Sequence, residues 1–96
     1  MVTVTARAAE MLRKDLQAMT TDPEVSFRLV LFPSIPNRTE LSLDKEKEGD
    51  HVVESEGVTI LLLDPEAARI LEGRVIDYQE TPQGGIYTIS KLAPGT

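Results

Sequence analysis

Ninety-six residues, 41% hydrophobic and 27% charged, fit one compact globular domain and leave no room for a second core. Sixteen acidic residues against ten basic give a net charge of −6, which repels phosphate backbones and anionic lipid and argues against nucleic-acid or membrane partners. With no cysteine, the chain cannot supply a disulfide, a thiolate nucleophile or a thiolate metal site.

No apolar run approaches the roughly 20 residues that cross a bilayer. The first residues also lack the charged leader and apolar segment of a secretory signal, so a cytoplasmic location is expected. Val2-Thr3-Val4 predicts a brief strand, and Thr5 the N-cap of a helix over residues 6–19. There Ala8, Leu12, Leu16 and Met19, with Met11 beside them, recur at helical spacing, while Arg7, Glu10, Arg13, Lys14 and Gln17 should face water. Thr20-Thr21-Asp22-Pro23 stops the helix, because a residue before proline is held out of the helical region.

From Val25 to Phe32 a strand should place Val25, Phe27, Leu29 and Leu31 on one side. Val30 and Phe32 on the other side imply that its far end is covered on both faces. Pro33-Ser34-Ile35-Pro36-Asn37-Arg38 must be a loop, since two prolines cannot sit in a central strand. Leu41 and Leu43 mark a returning strand, followed by a charged turn from Asp44 to Asp50.

His51 to Glu54 and Val58 to Leu63 read as a hairpin across Ser55-Glu56-Gly57, and the nearly unbroken apolar run from Val58 should be the most central strand. Asp64 caps a second helix with Pro65 at its first position; Gly73 terminates it, and Ala67, Ile70 and Leu71 form its buried stripe. Val75 to Tyr78 and Ile86 to Ser90 are the closing strands around a Pro82-Gln83-Gly84-Gly85 turn. Residues 1–92 thus read as one domain with a tail over 93–96. The fold class is α+β, a small mixed or antiparallel sandwich-like sheet assembly with two packed helices.

This order of elements resembles the HesB/IscA-like iron–sulfur carriers, also called the iron–sulfur cluster biosynthesis domain, over residues 1–90. Val2-Thr3-Val4-Thr5-Ala6 is similar to the family's "ITVT" opening, and Leu41-Ser42-Leu43-Asp44 to its "LEFD". Glu56-Gly57-Val58 resembles "DGV", and Asp64-Pro65 with Leu71-Glu72-Gly73 and Ile76-Asp77-Tyr78 resembles "DP…YL.G..IDY". The family places one cysteine in a glycine-rich "GCSG" loop and a "C-G-C" pair near its C-terminus. Residues 32–38 occupy the first position without glycine or cysteine, and Ala93-Pro94-Gly95-Thr96 offers nothing for the second.

The resemblance therefore implies the carrier fold without its cargo: a non-catalytic, cluster-free binding module, with no cofactor and no metal ligands. Its expected partner is a protein, either an iron–sulfur assembly component or a second copy. Because the loop lies at the family's active edge, Phe32, Ser34, Ile35, Asn37 and Arg38 are the candidate binding residues. The alternative is a small-ligand or oxygen-ligated metal site built from this loop and the acidic turn.

Other motifs favour plainer readings. Asp44, Glu46, Glu48 and Asp50 lack EF-hand spacing and are interrupted by lysines, so they read as a solvated turn. His51 and Ser34 have no nucleophile elbow around them to make a hydrolytic pair. Asp77 and Tyr78 point to opposite faces of a strand, which favours structural roles over acid–base chemistry. Pro33-Ser34-Ile35-Pro36 matches PxxP inside a constrained loop, and Gln83-Gly84-Gly85 precedes a strand, not the helix a phosphate loop needs.

Overall fold

The computed structural model describes residues 2–31 and 39–91. After β1 (Thr3–Val4), the Thr5 hydroxyl accepts from the Ala8 N–H at 3.2 Å and starts α1 (Ala6–Met19). Ala8, Leu12 and Leu16, four residues apart, are its buried line. Met19 is 60% exposed, contrary to expectation. Its angle around the axis matches the stripe, so the last turn extends beyond what the sheets cover. Arg13, expected in water, is mostly covered and lies 3.5 Å from Glu56 on the β4–β5 turn.

The remaining elements are β2 (Val25–Leu31), β3 (Thr39–Lys45), β4 (His51–Ser55), β5 (Val58–Leu63), α2 (Pro65–Ile70), β6 (Arg74–Thr81) and β7 (Gly84–Lys91). They form a four-stranded sheet in the order β3-β2-β5-β4 and a three-stranded sheet in the order β1-β6-β7. The β2–β5 and β1–β6 pairings are parallel, and the others antiparallel. Both sheets pack on α1, and the main core lies among the three.

As its composition required, β5 is interior, and Ile60 through Leu63 are sealed from solvent. Val53 lies opposite Leu61 and Glu54 opposite Thr59, so Ile60 is the extra residue of a bulge. Glu56 and Gly57 both have positive φ, 52° and 80°, the two-residue geometry whose twist matches a hairpin. At the other hairpin Thr81 pairs with Gly84 across Pro82-Gln83, so β6 and β7 run longer than the apolar residues alone indicated.

Two burial expectations fail. Ser26, Phe27, Arg28 and Leu29 are all buried, so β2 is covered on both faces in its middle; Val30 is only half-buried, and Phe32 lies outside the described residues. Polar partners explain this, since the Ser26 hydroxyl donates to the Thr59 carbonyl at 2.8 Å and carboxylates surround Arg28. Ala67 in α2 and Leu71 at its C-cap are buried, but Ile70 is 44% exposed. At ~100° per residue, Ile70 falls about a quarter-turn from Leu71, and so short a helix covers only one line. The Asp64 cap accepts from Ala67 N–H at 2.7 Å, and Gly73 has φ 74°, as the terminator requires.

Candidate functional site

The candidate binding residues Phe32, Ser34, Ile35, Asn37 and Arg38 lie outside the described residues. What is described is the frame from which that loop springs, the Leu31–Thr39 pair ending the β2–β3 ladder.

The acidic turn folds around a cation already in the chain. Arg28 Nε donates to Asp44 at 2.6 Å, and its Nη1 and Nη2 donate to the two carboxylate oxygens of Asp50 at 3.0 and 2.6 Å. Asp50, its side chain 2% exposed, also accepts from the Lys47 N–H at 2.7 Å. Arg28 hydrogen bonding holds the Asp50 carboxyl below the usual range; the same donor, then the Lys45 N–H, does so for Asp44. These hydrogen bonds, Asp50's foremost, push the guanidinium further up. The turn is therefore a fork-shaped clamp and not simply a solvated connection. A divalent ion on Asp44 and Asp50 would have to displace a buried guanidinium. Among the described residues, no three His, Asp or Glu side chains converge on a point.

His51 opens β4 opposite Leu63, half-buried. Asp77 is a staple between β6 and the start of α1. It accepts from the Thr5 hydroxyl at 2.7 Å, from Arg7 at 2.9 Å and from the Tyr78 N–H at 2.8 Å. The first of these donors in strength, Arg7, and then Thr5 pull the Asp77 carboxyl well below the ordinary range.

A feature the sequence did not announce lies between the sheets. On the side where edge strands β3 and β7 face each other, the sandwich stays open around a cleft of about 320 Å³. Leu12, Leu29, Leu61 and Ile76 line it from α1, β2, β5 and β6; Leu41 and Glu40 line it from β3, and Tyr87 and Ile89 from β7. Tyr87 stacks edge-on against Tyr78, ring centroids 5.2 Å apart, and its hydroxyl donates to Asp15 at 2.7 Å. Burial, reinforced by Asp15, pushes the Tyr87 hydroxyl well above its ordinary value. The only sequence signal was the alternation of Gly85, Tyr87 and Ile89 on one face of β7.

Two mixed sheets around a long helix, with a short helix between β5 and β6, constitute the HesB/IscA-like fold, as the sequence resemblance implied. Among solved structures, Escherichia coli SufA, involved in biosynthesis of iron–sulfur clusters, is 19% identical with a TM-score of 0.69, over 94% of this chain and 84% of SufA. IscA with a [2Fe-2S] cluster is 24% identical with a TM-score of 0.65, over 95% of this chain and 85% of IscA. An Aquifex aeolicus protein solved by NMR is 26% identical, with a TM-score of 0.65, over 95% of this chain and 91% of that one. No protein-family model matches the sequence, and no curated protein sequence matches it.

The donor set does not fit such a cluster as cargo. Iron–sulfur clusters are held by thiolates, with histidine at most replacing part of the set. This chain has no thiolate and a single histidine, and Asp44, Asp50 and Asp77 already serve arginines. No described helix is long and apolar enough to cross a membrane.

Proposed function

We propose that the protein is a non-catalytic, cluster-free counterpart of the carriers whose fold it shares, acting by binding another protein within iron–sulfur cluster biogenesis in the cytoplasm. The observation that carries this reading is the pairing of that fold with a sequence of 96 residues and no cysteine. Two of the polar side chains are engaged in structure: Arg28 clamps a turn, and Asp77 ties α1 to β6. The net charge of −6 favours a basic protein surface over nucleic acid or anionic lipid as partner. The loop bearing Phe32, Ser34, Ile35, Asn37 and Arg38 is the proposed contact.

Two measurements test it. Anaerobic incubation with ferrous iron and sulfide should leave the purified protein without a stoichiometric visible chromophore, and a retained cluster would end the reading. Affinity capture from the source cell should enrich an iron–sulfur assembly component, and substituting Ile35→Asp and Arg38→Glu should lose it. Retention of no such component would sever the link to biogenesis.

A further inference from the structure

We propose that the cleft between β3 and β7 is a binding site for an uncharged apolar molecule, about two rings in size, that carries one hydrogen-bond donor. The inference stands independently of the protein-binding role.

Size comes first. The cleft holds about 320 Å³, roughly twice the ~150 Å³ that accommodates one benzene in an apolar protein cavity, and within the usual range of ligand pockets. Its wall comes next. Leu12, Leu29, Leu41, Leu61, Ile76 and Ile89 make its walls mainly aliphatic, which rewards an apolar occupant.

Charge and hydrogen bonding narrow the class. Asp15 stands behind Tyr87, so an acidic ligand would approach a carboxylate in a chain of net charge −6. Aliphatic walls also penalise a ligand that brings a full charge of either sign. Tyr87 supplies the directional contact. Its proton is committed to Asp15 at 2.7 Å, which leaves its oxygen able to accept but not to donate. A ligand N–H or O–H completes that oxygen, and a ligand acceptor does not.

Indole is the probe, with indole-3-carboxylate and tryptamine as its charged analogues, titrated into protein labelled at its Leu and Ile methyls. Indole should shift the Leu12, Leu41 and Ile89 methyls saturably and leave Ile70, on the exposed side of α2, in place. The carboxylate and the amine should each bind about tenfold or more weakly, a difference of ~1.4 kcal/mol. Leu41→Trp, at a half-buried edge position that tolerates bulk, should fill the cleft and abolish the shifts. Tyr87→Phe should weaken indole several-fold while leaving 1-methylindole unchanged.

No saturable shift with indole overturns the proposal, as does equal binding of the carboxylate or tighter binding of tryptamine. Dependence of the same methyl resonances on protein concentration without ligand also overturns it, since a second copy would then occupy the cleft.

Discussion

Arg28 sits mid-strand between Phe27 and Leu29, where a cation is tolerated only with its partners in place. Arg28→Met keeps most of the apolar stem but leaves Asp50 buried without its cation. It should cost about 3–5 kcal/mol in urea denaturation. Adding Asp50→Asn should recover much of that loss, because the stranded charge carries the penalty. Gly85 makes a different demand: the Tyr78 ring lies where its side chain would be, so a Cβ there would overlap Tyr78. Gly85→Ala should therefore displace that ring and lose about 1–3 kcal/mol by overpacking. A changed near-ultraviolet tyrosine circular dichroism signal would report the broken Tyr78–Tyr87 pair.

At the level of elements, α2 offers the sharpest contrast. Leu71 is buried and Ile70 exposed, although both were expected inside. Leu71→Ala should cost about 2–4 kcal/mol, whereas Ile70→Ser should stay within about 0.5 kcal/mol of the parent; equal losses would refute the assigned face. Helix ends were legible because their signals are local: Thr5, Asp64-Pro65 and Gly73 each act on backbone within a few residues. The double burial of β2 was not. Arg28 becomes an interior residue only through Asp44 and Asp50, sixteen and twenty-two positions on, and no periodicity encodes that. Met19 and Ile70 failed for the same reason, since spacing gives an angle around a helix but not what lies opposite. The cleft was the least legible feature, because it exists only where two separately formed sheets fail to close. The loop residues expected at the site were chosen by resemblance to the carriers and lie outside the described residues, whereas Tyr87 and Leu41 line the cleft.

At the scale of the molecule, three of the carboxyls that bind donors among the described residues, Asp44, Asp50 and Asp77, are held below their ordinary range. A group lowered in this way adds stability above its unfolded value, about 4 for Asp, and loses that contribution as pH falls through the folded value. All three act in the same sense. Stability in urea should therefore stay nearly level from neutral pH to about 5 and drop steeply below about 4, with proton uptake accompanying unfolding. Arg28→Met removes the principal donor from Asp44 and Asp50 but leaves Asp77 with Arg7 and Thr5. Its acid slope should be shallower than the parent's, though its stability at neutral pH is lower. Asp77→Asn should remove the share that Arg7 and Thr5 support, and combining the two should give the shallowest slope of the set. A slope in the Arg28 variant as steep as the parent's would place acid sensitivity on carboxylates outside the clamp.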